Sequence, residues 1–168
     1  ILVIAEMREP MTDVEKVNFD KYVARGGNLV IIGEPGRQGV MAPVLEPFGV
    51  KLVDGFLIQP EKPKDPEQEK EDNRNLGPCV APKNPIDLIV SQPTKEAEEL
   101  SYAFGFMRPN YVVVMPTATG LEYTTDKGFD VIPLFMSDST CWNELENTEI
   151  VDQEVVFNPE VGEVQKSY

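Results

Sequence analysis

Between Gly33 and Gly39 the sequence reads Gly-Glu-Pro-Gly-Arg-Gln-Gly, a glycine-rich stretch directly behind an apolar run. That is where a phosphate cradle would sit in an α/β protein. The spacing is neither GxGxxG nor the P-loop GxxxxGK followed by Ser or Thr, Glu34 would repel a phosphate, and Pro35 has no amide to donate. The stretch is therefore read as a turn. Carboxylate pairs such as Glu98 with Glu99, or Asp126 with Asp130, could in principle share acid–base work. Adjacent residues on a helix do not face each other, and no electrophilic partner or metal-loop spacing accompanies these pairs. Solvated surface is the plainer reading. Trp142, the single tryptophan, sits between Cys141 and Asn143. It could stack on a sugar or grip a partner, or it could fill the core near a helix start, and the core is the commoner place for such a residue.

The chain contains no histidine. Ser-His-Asp and Cys-His triads, histidine-ligated zinc and imidazole general bases are excluded with it. Cys79 and Cys141 stand in neither a CxxC nor a metal-ligand spacing, and either a disulfide between them or two thiols is compatible with the sequence. We expect no catalytic residue, no metal site and no cofactor. The formal net charge of −14, from 29 acidic and 15 basic side chains, disfavours nucleic acid and anionic lipid surfaces as partners. No apolar run is long enough to span a membrane.

At 168 residues the chain has the length of one domain, and 41% hydrophobic with 26% charged residues is a globular composition. Leu2-Val-Ile-Ala5 reads as a central strand covered on both faces. Thr12 and Glu15 have the spacing of a capping box, and the helix they open turns Phe19, Tyr22 and Val23 inward, with Val14 and Val17 widening the stripe, before stopping at Gly26-Gly27. Leu29-Val-Ile-Ile32 completes a βαβ unit. A helical segment is expected from Met41 to Phe48, then extended chain from Gly49 to Gln59. The stretch from Glu61 to Arg74 has no apolar residue and reads as a mobile charged loop. Ile86–Val90, Tyr111–Met115, Val131–Phe135 and Val155–Phe157 read as further strands, Pro133 making the third an edge or irregular one. A helix is expected from Thr94 to about Phe104, and a capped helical turn over Ser139–Glu144. Because the chain opens on Ile1-Leu-Val-Ile, inside a strand and without an initiator methionine, we expect an excised domain of a longer, membrane-anchored protein.

Several of these segments resemble the extracytoplasmic auxiliary domain of ABC-2-type export systems, typified by the GldG-like component of gliding-motility transporters. The likeness runs through Leu2–Ala5, Met11-Thr12 with the helix to Tyr22-Val23, Gly26–Ile32, Phe48-Gly49-Val50 and Asp54-Gly55. It continues in Val113-Val-Met-Pro116 and in Ile132–Ser139 followed by Trp142-Asn-Glu144. The resemblance implies a doubly wound, mostly parallel α/β sheet of flavodoxin-like or class I glutamine-amidotransferase-like type, without that fold's catalytic cysteine and histidine. It also implies a periplasmic or otherwise extracytoplasmic location, with flanking transmembrane segments as the only membrane contact. The family carries no catalytic residues over.

The expected function is accordingly a non-enzymatic binding and scaffolding domain contacting an ABC-2 permease or another envelope protein. The alternative is a small-molecule or glycan-binding domain of a larger surface protein. In an open α/β sheet ligands bind beyond the carboxyl ends of the strands. The expected working face is thus the rim from Glu6 to Arg8, Glu34 to Arg37 and Ser137 to Trp142, with Arg8, Glu34, Arg37, Ser139, Trp142 and Asn143 as its binding residues.

Overall fold

A computed structural model describes residues 1–5, 7–60, 87–90, 93–100, 113–146 and 155–168, those of 87–90 by their backbone. The charged stretch from Glu61 to Arg74, Cys79 and Glu6 lie outside the described residues, as do Tyr111 and the expected helix beyond Leu100.

The chain begins with β1 (Leu2–Ile4), α1 (Asp13–Ala24) and β2 (Leu29–Ile31), the two strands parallel with Leu2 opposite Leu29 and Ile4 opposite Ile31. The βαβ unit read from the sequence is present. Both halves of the Thr12–Glu15 capping box form, the Glu15 carboxylate accepting from the Thr12 amide at 2.8 Å. These bonds hold the Glu15 carboxyl below its ordinary range. Phe19 is buried, which contributes about 1.5–3 kcal/mol for a side chain of this size. Val14 and Val17 do not widen the buried stripe but face solvent, 71% and 49% exposed. Gly26, at φ +77°, supplies the left-handed residue that ends α1.

Helix α2 (Gln38–Leu45) runs into a 3-10 turn, Glu46–Phe48, and packs Val44 on Ile4 and Phe19, while Met41 and Leu45 meet Leu52. Short strands β3 (Val50–Leu52) and β4 (Phe56–Ile58) follow, joined through Asp54-Gly55. Then come β5 (Asp87–Val90), α3 (Lys95–Leu100), β6 (Val113–Pro116), β7 (Leu121–Tyr123) and β8 (Trp142–Glu144). Thr94 caps α3 as expected, its hydroxyl accepting from the Ala97 amide at 3.1 Å.

The sheet is where sequence and structure part. No doubly wound parallel sheet forms: the described strands make four two-stranded sheets, of which only β1–β2 is parallel, and β3–β7, β4–β8 and β5–β6 are antiparallel. Parallel neighbours need a crossover of a dozen or more residues, usually a helix. Only residues 53–55 separate β3 from β4 and only 117–120 separate β6 from β7, so neither connection can make one. The outer side of the β1–β2 pair is open to solvent, Val3 and Val30 being 59% and 46% exposed. Val131–Phe135 is not a strand; Pro133 leaves it irregular, with a single bridge from Phe135 to Pro93. The segment expected as a helical turn is a tight turn, in which the Asp138 carboxylate accepts from the Thr140 amide at 2.9 Å, leading into β8. Residues 155–158 are not a strand.

Residues 163–168, whose polar sequence departs from a strand pattern, nevertheless run antiparallel beside β8. Val164 donates to Asn143 Oδ1 (2.7 Å), Lys166 to the Cys141 carbonyl (2.9 Å) and Ser137 to the Tyr168 carbonyl (2.9 Å).

Candidate functional site

The segment between β6 and β7 passes along β4 and β3. The Leu57 amide donates to the Ala118 carbonyl (2.8 Å), the Val53 amide to Gly120 (2.9 Å), and the Thr119 hydroxyl to the Val53 carbonyl (2.6 Å). Residues 131–137 lie across from it, held at one end by Thr94, whose amide and hydroxyl donate to the carbonyls of Leu134 (3.0 Å) and Pro133 (2.6 Å). The other end is tied to Tyr168, which donates its amide to Ser137 Oγ at 3.0 Å. These walls enclose a cleft of about 830 Å³, lined among others by Leu57, Met115, Leu121, Ile132, Leu134 and Met136. All of these but Leu57 are more than a third exposed, so the apolar wall faces solvent rather than core.

At one end of the cleft β7 presents Glu122, directly opposite Lys51 of β3. Its Oε2 receives Lys51 Nζ at 2.7 Å and its Oε1 receives Lys166 Nζ. Hydrogen bonds from Lys166 and then Lys51 hold the Glu122 carboxyl below its ordinary range, and Glu122 in return raises Lys51. Lys166 also stands 4.9 Å above the Tyr168 ring. The Tyr168 hydroxyl donates to the Val164 carbonyl (2.8 Å). Burial, with the charge of Glu122 behind it, pushes the Tyr168 phenol up to about 12.

Hydrogen bonds favour the carboxylate of Glu122 and the ammonium of Lys51, and burial favours the protonated phenol of Tyr168. Ser137, one of several hydroxyl side chains in the lining, is buried and accepts from the Tyr168 amide. Among the described residues no three acidic or thiol side chains converge to hold a metal ion, and no helix is long and apolar enough to cross a membrane.

The residues singled out by sequence fall in two places. Arg8 follows β1, and Glu34 and Arg37 follow β2, so these three emerge from the same end of the parallel pair. Ser139 is exposed in the turn before β8, in another sheet. Trp142 and Asn143 are inside, 4% and 5% exposed, Trp142 edge-on to Phe157 at 6.0 Å. Asn143 binds on two sides, donating to the Asp54 carbonyl (3.2 Å) and accepting from Val164. The rim drawn from an open sheet is thus divided between two separate strand pairs.

Lys51, Glu122, Lys166 and Tyr168 were not singled out by sequence. Each is ordinary in its local context, and the first three come together only because β3 pairs with β7 and residues 163–168 return beside β8. Of the cleft, the sequence marked only Val131–Phe135, where Pro133 indicates an edge or irregular strand, without showing that this apolar run forms a wall. Comparisons with family models, with curated proteins and with solved structures find no match for the chain.

Proposed function

We propose that this chain is a non-catalytic binding module whose working face is the cleft between β7 and residues 131–137. The observation that carries the reading is the apolar wall itself. Leu121, Ile132, Leu134 and Met136 stand exposed around a concavity of about 830 Å³, within the roughly 300–1,000 Å³ of small-ligand sites. Contiguous exposed apolar surface of this kind marks recognition. At its end the Glu122 carboxylate holds Lys51 and Lys166 in a charged cluster suited to binding.

The setting we propose follows the resemblance read in the sequence: an extracytoplasmic domain serving an ABC-type export system, seated against the permease or another envelope protein. That setting rests on the sequence segments alone, since the doubly wound sheet that went with it is absent. The small-molecule alternative is favoured by the size of the cleft. A glycan platform built on Trp142 is not, because that ring is buried.

The test uses the full-length protein in its native membranes, carrying a photo-crosslinking amino acid at Leu134. An adduct with the permease or a neighbouring envelope protein is expected. Substituting Asp at Ile132 in the same protein should abolish it while leaving the unfolding midpoint unchanged. An adduct yield indifferent to Ile132→Asp would remove the cleft from the working surface.

A further inference from the structure

We infer that the cleft takes a single-chain amphiphile with one negative charge, a long-chain carboxylate, whose head lies at Lys51 and Lys166 and whose tail lies along Leu121, Ile132, Leu134 and Met136. This rests on the reading of the cleft as a binding face and names the class of ligand.

The charge of the lining is the first argument. The chain carries −14 overall, yet the cleft is lined by Lys51, Lys127 and Lys166 against Glu46 and Glu122, an excess of one positive charge around an apolar concavity. In a protein this acidic, long-range electrostatics repel an anion, so a local reversal of sign selects for one that comes close. The second argument is the hydrogen-bonding capacity left over. An ammonium has three donors. Lys51 and Lys166 each give one to Glu122, which has one oxygen for each, and their side chains are 65% and 39% exposed. Asp54 acts on Lys51 only through space, as the weakest influence on it. Glu122 thus fixes two ammonium groups side by side, with water meeting their remaining donors, so an anion that displaces this water meets a preorganised pair. The third argument is the chemistry of the remaining wall. Beyond the lysines the wall formed by residues 131–136 is aliphatic, thioether and aromatic, with Pro133 supplying no donor. A sugar, a nucleotide or a dianion would leave its polar groups unpaired there. An alkyl chain would not.

The experiment is a calorimetric titration of the purified protein with dodecanoate, kept below its micelle concentration, alongside dodecanol, dodecyltrimethylammonium and vesicles of anionic phospholipid. One dodecanoate per chain is expected, bound at least about tenfold more tightly than the alcohol or the cation, with no measurable binding to vesicles. Lys51→Ala and Lys166→Ala should each weaken dodecanoate several-fold, with only a small loss in the unfolding midpoint from the lost Glu122 pairing. Glu122→Gln, which leaves both ammonium groups unneutralised, should bind it as tightly or more so. Equal binding of alcohol and carboxylate, equal or tighter binding of the vesicles, or no binding of any amphiphile overturns the assignment. The first of these leaves the cleft as a binding face of another specificity. The crosslinking experiment decides that face independently.

Discussion

Tyr168 couples the chemistry of the cleft to the stability of its wall. Its ring packs against Leu57 and Cys141, and its hydroxyl is committed to the Val164 carbonyl, so ionising the phenol would bury a charge beside the Glu122 carboxylate. The folded state therefore favours the protonated phenol, raising its value from 10.0 to about 12. By linkage, this contribution is fully present below pH 10 and is lost as pH rises through about 12. A spectrophotometric titration of the native protein should show one of the five tyrosines ionising late, and Tyr168→Phe should delete that late step. A native titration without a late step would contradict the burial described. Glu122 has the opposite sign: its folded value is depressed, so its contribution is present above the ordinary carboxylate range and is lost as pH falls through the lowered value. None of this was legible in the sequence, where Tyr168 is one polar-segment residue among several and its burial depends on strand β8 more than twenty residues upstream.

At the scale of elements, Gly55 shows how tightly the antiparallel pairs are drawn together. It sits at φ +81° in the link between β3 and β4, and a Cβ there would lie 2.0 Å from the Glu144 carbonyl oxygen of β8. Both the backbone conformation and the close approach demand glycine. Gly55→Ala should destabilise the protein by at least about 2 kcal/mol, since strain at positive φ and displacement of β8 add. Chemical denaturation measures it; a loss under about 0.5 kcal/mol, the size of an indifferent surface change, would show that β8 is free to move. Elements whose signals are local were readable in advance. Thr12 and Glu15 placed the start of α1, Thr94 the start of α3, and the two Leu-Val-Ile runs the parallel pair. Elements defined by a distant partner were not. Trp142-Asn-Glu looks like a capped turn until β4 and Val164 take up its backbone, and Val131–Phe135 has the composition of a strand but no neighbour its proline can tolerate.

Across the whole molecule, apolar side chains alone could not say how the strands would be assembled. Short runs of Val, Ile and Leu fit a parallel sheet clad in helices as well as a set of small pairs, and the deciding facts are connection lengths and partners. Among the described residues the outcome leaves apolar side chains open at the cleft and on the outer side of β1–β2, in a chain whose net charge is −14. Mutual repulsion holds copies of such a chain apart in dilute buffer. At about 1 M salt the screening length falls to about 3 Å, and sedimentation should then reveal self-association that Val30→Lys suppresses; a monomer at high salt would show that these surfaces are too small to adhere. The seam between residues 163–168 and β8 has a further bearing, on the order in which the protein is made. Chains emerge from the ribosome N-terminal end first, and domains condense as units during synthesis. The β1–α1–β2 unit is built from neighbours in sequence and can form early, whereas Lys166 and Tyr168 arrive after every other part of the cleft. Until they do, the bond that ties Tyr168 to Ser137 cannot form, so the apolar side chains of residues 131–136 are open to a chaperone during synthesis.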